Sequence, residues 1–347
     1  MTDQIPAADR PRTLITGGFG FIATWAAAGL LRFGHRVTLV DNGPVAGSPA
    51  DLAGLPGLPD VTVGQADVTR PGALDHLGEF DCIVHAAALL GVSAVRRRPL
   101  EALRVNVDGT ARVLEFAASN RALGRFLLLS TSEVYGNGVN VAEADWLSAR
   151  TDDPRWSYAV SKTAAEALAY AYGAEHGLPF TVVRPFNVYG PLRTGSYAVG
   201  ALGRQALAGG PITVHGSGRQ SRAWCHVDDF VDGLIRCLRS PAAVGETFNL
   251  GDSRHHLTVA ELAALIRDLT GGTAPIVHVP APGPDIELRR PNLDKARDLL
   301  GYRPERGIEE GLRETVDWLA AAGVPYPVPL RRTSWPTPRA HLRTVPS

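Results

Sequence analysis

The feature that most constrains this chain is a cluster of glycines set directly behind a short apolar run. Residues 13–16 (TLIT) lead into Gly17-Gly18-Phe19-Gly20, and residues 21–33 then read as a helix. Residues 36–40 form a β-branched run that ends at Asp41. Glycines in such a turn let a pyrophosphate approach the helix N-terminus, where backbone N–H groups and the helix dipole stabilise its charge. An acid about 20 residues further on accepts hydrogen bonds from an adenosine ribose. A carboxylate at Asp41 would repel a 2′-phosphate, and Asn42 rather than an arginine follows it, so NAD is favoured over NADP. A glycine pattern alone is weak, but here strand, turn, helix and acid occur in order.

Further apolar runs at 61–63, 81–85, 126–130 and 180–184 predict strands, with helices between them at 100–119 and 161–175. Alternating strands and helices imply an α/β fold, a Rossmann doubly wound parallel sheet covered on both faces. After Pro185, Gly and Pro become frequent, and helices are expected near 228–239, 258–269 and 309–321. Residues 12–184 therefore read as the core of a dinucleotide-binding domain. Residues 185–325 read mainly as a smaller mixed α/β lobe, with segments returning to the sheet. The Pro- and Arg-rich stretch 326–347 is expected to be extended or disordered.

Composition excludes several functions. The 35 basic and 35 acidic residues cancel, so no global field recruits nucleic acid or an anionic membrane. Three cysteines, none in a CxxC, argue against a disulfide framework or a zinc site and for a reducing, cytoplasmic setting. No apolar run is long enough to span a bilayer, and residues 1–12 lack the apolar centre of a signal peptide. Neither GxSxG nor a phosphate-binding P-loop occurs.

Tyr158 and Lys162 stand four residues apart. With a helix from Ser161 onward, both would face the same way at its start. An ammonium beside a phenol favours phenolate and would lower the tyrosine pKa. Such a tyrosine can take a hydroxyl proton while hydride leaves the same carbon. The chain has only two lysines, Lys162 and Lys295, among its 35 basic residues, which makes this pairing hard to attribute to chance.

With these residues in place, the chain resembles the extended short-chain dehydrogenase/reductase family over about residues 12–321. The matching pieces are TGGFGFI (16–22), Asp41, Asp67-Val68, HAAA (85–88), NVDGT (106–110), STSEVYG (130–136), YAVSK (158–162) and RPFNVYGP (184–191). The resemblance implies tightly held NAD and a lobe for a nucleoside diphosphate sugar, with a UDP-sugar as the expected partner. It places the cofactor against Gly17, Gly20, Phe21, Ile22, Asp41, Asn42, Asp67, Val68, Ala86, Ala87, Ala88, Asn106 and Pro185, together with Tyr158 and Lys162. It makes Thr131 the third catalytic residue and implies a homodimer formed through helices near 100–119 and 161–175. One departure stands out: Ala23, Thr24 and Trp25 occupy positions where the family has a third glycine, a small polar residue and often His.

The residues after Thr131 bear on the outcome. Ser132-Glu133 is unlike the Asp-Glu pair usual in 4,6-dehydratases, and serine is a poor acid at neutral pH. Thr-Ser-Glu-Val-Tyr-Gly and Arg289-Arg290-Pro291 resemble UDP-glucuronate decarboxylases, which implies that Arg289 meets the substrate carboxylate as a bidentate partner. Ser132, Glu133 and Arg289 are accordingly expected in catalysis. Arg222, Arg219 and Asn187 are expected at the diphosphate or sugar. A 4-epimerase and a dehydratase are the alternatives within this chemistry, and a non-catalytic NAD sensor is the alternative outside it. Cys225-His226 with Asp228-Asp229 reads as no metal site, because adjacent strand residues point apart. Asp228 reads as a helix N-cap, His255-His256 as loop and Arg96-Arg97-Arg98 as a solvated turn.

Overall fold

The computed structural model describes residues 10–193, 197–281, 283, 285–321 and 328. The expectation for the 326–347 tail thus falls outside the described residues, apart from Val328. A seven-stranded sheet is built from β1 (Arg12–Thr16), β2 (Arg36–Asp41), β3 (Val61–Gln65), β4 (Cys82–His85), β5 (Arg125–Leu129), β6 (Phe180–Pro185) and β7 (Glu246–Leu250). The order is β7-β6-β5-β4-β1-β2-β3, and every neighbouring pair is parallel. Adjacent strand residues diverge to opposite faces. Ile15, Leu39, Val84, Leu127 and Val183 meet one core, with α1 (Phe21–Arg32) and α4 (Val227–Arg239). Leu14, Val40, Ile83, Leu128 and Val182 meet the other, with α2 (Gly109–Ser119) and α3 (Ser157–His176). Continuous apolar runs are what a strand buried on both faces requires.

Three boundaries differ from the sequence reading. The helix expected over 100–119 is interrupted by a π-turn, Arg104–Asp108, and only α2 lies beyond it. The helix expected from Ser161 begins at Ser157, because the turn Pro154–Trp156 leads directly into it. Tyr158 therefore lies inside the first turn of α3. The N-cap of α4 is His226, whose side chain accepts from the Asp228 amide, rather than Asp228 itself.

The remaining strands form a smaller unit. His256–Thr258, Ser221–Ala223, Leu288–Pro291 and Gly138–Val141 make a mixed four-stranded sheet, flanked by a parallel pair, Ile212–His215 with Ile276–Val279. Helices Ala198–Leu207, Val259–Leu269 and Ile308–Ala320 pack against one another beside it. The exchange between the units is two-way: β7 joins the main sheet, and Gly138–Val141 joins the smaller one. That second crossing holds Leu288–Pro291, and with it Arg289, close to the end of β5.

His35, just before β2, is buried and shares a 2.8 Å hydrogen bond between its Nδ1 and the Thr13 hydroxyl. Burial, assisted by the Arg239 charge, lowers its pKa from 6.5 to about 4. The folded state holds His35 neutral, so the unfolded chain binds more protons between these values. Stability is thus fully retained above pH 6.5 and falls as pH drops toward 4, with a slope of about 1.4 kcal/mol per pH unit from this group. Urea unfolding of the wild type and His35→Gln at pH 7 and pH 5 checks this: the variant is expected to show the flatter pH dependence.

Candidate active site

The glycine turn sits at the C-terminal end of β1. Gly17 has φ +67°, and a Cβ there would lie 2.6 Å from the Ala87 amide nitrogen. At Gly18 it would meet Leu39 at 2.8 Å, and at Gly20 the Gly17 carbonyl at 3.1 Å. The backbone is thus folded tightly onto the ends of β2 and β4. α1 starts at Gly20 with no side-chain cap, leaving its first amides for a ligand. The residues that depart from the family pattern are accommodated by packing. Ala23 is buried, the Thr24 hydroxyl donates to the Gly20 carbonyl at 2.8 Å, and Trp25 Nε1 donates to the Pro191 carbonyl at 3.1 Å. Gly17→Ala is expected to cost about 2 kcal/mol or more, since it adds both a left-handed strain and a clash. Thermal denaturation and NAD titration of the variant would measure it.

The other cofactor candidates line the same edge of the sheet. The Asp41 carboxylate accepts from Phe19 N at 3.2 Å and Gly43 N at 3.0 Å, and the Asn42 carbonyl accepts from Gln65 Nε2. Asp67 is held ionised by the Thr69 hydroxyl and amide and by Arg70, which keep its pKa below the usual carboxylate value. Val68 is buried against the position where Gly109 opens α2. Ala86, Ala87 and Ala88 follow β4, with Ala86 N bonded to the Thr16 carbonyl. Phe21 and Ile22 open α1, and Pro185 ends β6. Asn106 is buried; it bonds both the amide and the carbonyl of Leu89, and donates to the Ser161 hydroxyl at 2.9 Å. It ties the loop after β4 to α3, beneath Tyr158. An acid at a ribose position, an uncapped helix and a clash-limited turn fit a dinucleotide. Those residues would hold NAD, which supplies a hydride acceptor when bound.

Lys162 is fully buried, and its Nζ donates to the Leu129 carbonyl at 2.7 Å. Burial lowers its pKa to about 8, against the opposing charge of Glu166. Tyr158 differs from the sequence expectation of a lowered pKa. Burial raises it first, and the Glu133 carboxylate raises it further, while hydrogen bonding by the Thr131 hydroxyl and the Arg193 charge oppose them. Lys162 points at Leu129 rather than setting the phenol's ionisation in this state. Thr131 caps the turn Ser132–Tyr135, accepting from Glu133 N at 3.2 Å, and Ser132 is buried beside it.

Beyond Glu133 lies a cluster of three guanidiniums and two carboxylates. Arg155 Nη1 donates to Glu133 Oε2 at 2.7 Å, and its Nη2 donates to Asp285 Oδ1 at 3.1 Å. Arg222 Nη2 donates to Asp285 Oδ2 at 3.2 Å. Arg289 is paired in register with Arg222 on the neighbouring strand. It is 4% exposed, and its Nε and Nη1 have no hydrogen-bond partner. Burial lowers its pKa to about 10, with Glu133 the largest opposing influence. Asn187, at φ +38°, donates from Nδ2 to the Ala223 carbonyl beside Arg222. Arg219 lies exposed on the preceding turn, its amide bonded to the Ser217 hydroxyl, whereas Arg222 lies buried in the strand.

The sequence reading missed Arg155, Asp285 and Arg193. Arg193 is half-buried, with its guanidinium 3.8 Å from the Tyr197 ring centre and 5.2 Å from that of Phe21, where α1 begins. In a chain so rich in arginine, neither Arg155 nor Arg193 carries a local signal. Among the described residues no group of three or more His, Cys, Asp or Glu side chains is placed to hold a metal ion. His226 instead packs edge-on against Trp25 and Tyr189. His255 bonds the Arg306 carbonyl, whereas His256 lies in a short strand rather than a loop. Arg96 and Arg97 end a short helix, Val92–Arg97, and Arg97 and Arg98 are exposed to solvent as expected.

A doubly wound sheet with an uncapped glycine turn and a Thr-Tyr-Lys group at its C-terminal edge defines a dinucleotide-dependent enzyme class. Residues 13–251 match the NAD dependent epimerase/dehydratase family, and the chain belongs to it. It is 34% identical to the UDP-N-acetyl-alpha-D-glucosaminuronate decarboxylase of Bacillus cytotoxicus over 89% of this chain and 98% of that one. It is 35% identical to UDP-glucuronic acid decarboxylase 1 of Danio rerio, over 90% and 73% respectively. Among solved structures it resembles an epimerase of Methanothermobacter thermautotrophicus, with TM-score 0.82, 28% identity, and coverage of 91% of this chain and 94% of that one. It also resembles MoeE5 in complex with UDP-glucuronic acid and NAD, with TM-score 0.77, 29% identity, and 90% and 99% coverage.

Proposed function

We propose that this chain is an NAD-dependent UDP-glucuronate decarboxylase that acts through transient oxidation at the sugar C4. The observation that carries this reading is Arg289, a buried guanidinium with two N–H groups unpartnered, set beside Glu133. A buried charge without a partner is costly, and a ligand carboxylate matches its geometry. In this reading Tyr158 takes the C4 hydroxyl proton, Thr131 orients the phenol and Lys162 holds the cofactor side. The 4-keto uronate is a β-keto acid: its C5–C6 bond breaks, CO₂ leaves with the carboxylate carbon, and the electron pair passes to the C4 carbonyl as an enolate. Ser132 and Glu133 would deliver a proton to C5 before C4 is reduced again. Arg222 and Asn187 would hold the diphosphate end.

Mass analysis of products from UDP-glucuronate, UDP-N-acetylglucosaminuronate and UDP-glucose tests this. Loss of CO₂ from UDP-glucuronate is the expected result, and the Bacillus relative makes the N-acetylated uronate the natural competitor. Recovery of uronate unchanged in mass but scrambled at C4 would replace decarboxylation by 4-epimerisation. The reading extends to a cytoplasmic homodimer. Three free, buried cysteines suit a reducing compartment. Exposed Leu100 and Tyr170, on the neighbouring helices Pro99–Leu103 and α3, suit a dimer face. Light scattering after size exclusion tests the latter.

A further inference from the structure

Asp285 differs from the other members of the guanidinium cluster. Its side chain is 50% exposed, yet its two oxygens hold two arginines that are 3% and 10% exposed. Those arginines come from separate parts of the chain, Arg155 from the turn before α3 and Arg222 from the strand Ser221–Ala223. The backbone around Asp285 is anchored. Ile286 is fully buried, Glu287 N donates to Asn137 Oδ1 at 2.7 Å, and the Glu287 carbonyl accepts from Ser221 N at 2.8 Å. The chain just after Asp285 is thus held in place, while the Asp285 carboxylate faces solvent enough to swing out at small cost. The arginines cannot leave so easily, because burial without an anion penalises them.

We infer that Asp285 is a specificity-determining residue: an internal anion that holds Arg155 and Arg222 until an anionic group of the ligand takes its place. This rests on the reading of the site as a nucleoside diphosphate sugar pocket. A ligand lacking an anion at this point leaves the Asp285 pairs intact and gains nothing from the two guanidiniums. A diphosphate or uronate exchanges one anion for another and releases the Asp285 carboxylate to water. The cluster therefore tests ligand charge before sugar shape.

Calorimetric titration of the NAD⁺-loaded enzyme with UDP tests the inference. Asp285→Asn is expected to bind UDP about five- to tenfold more tightly than the wild type, the scale of one or two partly exposed ion pairs no longer competing. Equal or weaker binding by the variant overturns the inference while leaving the function reading in place. A wild type that binds neither UDP nor UDP-glucuronate overturns both. Hydrogen exchange on the wild type gives a measurement free of folding defects in the variant. The Ile286 amide, bonded to the Asp285 carboxylate, is expected to exchange faster when UDP binds; slower exchange there overturns the inference.

Discussion

Replacing Tyr158 with phenylalanine is expected to lower kcat by about 10³-fold or more, the scale of a lost general acid–base group, while NAD stays bound. The substitution keeps the ring and its packing at the first turn of α3 and removes only the hydroxyl. Thr131 loses its phenol partner but still accepts from the Glu133 amide, so the local turn survives. The glycine turn, Asp41 and Asn106 do not depend on that oxygen. The expected signature is therefore a folded, cofactor-binding and inactive protein. Burial and Glu133 both raise the phenol's pKa, so little phenolate exists before ligands enter, and the proton transfer must be assisted by charges that arrive with them. Product formation from UDP-glucuronate, measured beside NAD binding, checks the point. Full turnover in the variant would remove Tyr158 from the mechanism.

Much of the first unit was legible because its signals are local. β1, the glycines and Asp41 are contiguous enough that their chemistry can be read from order alone. The strands buried on both faces show themselves as unbroken apolar runs. The helix carrying Tyr158 and Lys162 was placed four residues late, since the turn Pro154–Trp156 conceals its start. The spacing of the two residues was unaffected by that error. What stayed hidden depends on contacts between distant segments. Arg155 meets Asp285 across 130 positions and Glu133 across 22. No periodicity records such a meeting, and an arginine-rich background removes the contrast that made Lys162 conspicuous. The sequence favours Arg222 over Arg219 for the phosphate but places both at the ligand. They separate only because Arg222 lies in a buried strand while Arg219 lies on the exposed turn before it.

The same cluster explains why charge arithmetic matters more here than the identity of any one arginine. Arg155 is satisfied at both ends and serves Glu133 as a counter-ion, and Arg222 shares Asp285 with it. Three cations against two anions leave one positive charge over; Arg155 and Arg222 each donate to a carboxylate, whereas Arg289 donates to none and leaves two N–H groups unpartnered. A neutral hexose brings nothing to offset that charge, whereas a uronate does. The discrimination this allows is large, because a site built for a polar partner penalises the analogue that lacks it.

Arg289→Leu should accordingly separate catalysis from stability in opposite directions. Loss of the carboxylate partner is expected to reduce kcat/KM for UDP-glucuronate by about 10²- to 10³-fold, or about 3–4 kcal/mol, within the range typical of truncating one side of a buried charge pair. UDP alone should bind as before, since Arg222 and Asn187 remain. The fold, by contrast, should be unchanged or more stable, by up to about 2 kcal/mol, because the variant exchanges a buried, unpartnered charge for an apolar side chain. A residue retained for structure would behave the other way, with activity and melting temperature falling together. Steady-state kinetics on UDP-glucuronate, UDP titration and thermal unfolding of one preparation decide between them. A destabilised variant with undiminished kcat/KM would show that Arg289 belongs to the scaffold and that the uronate carboxylate is held elsewhere.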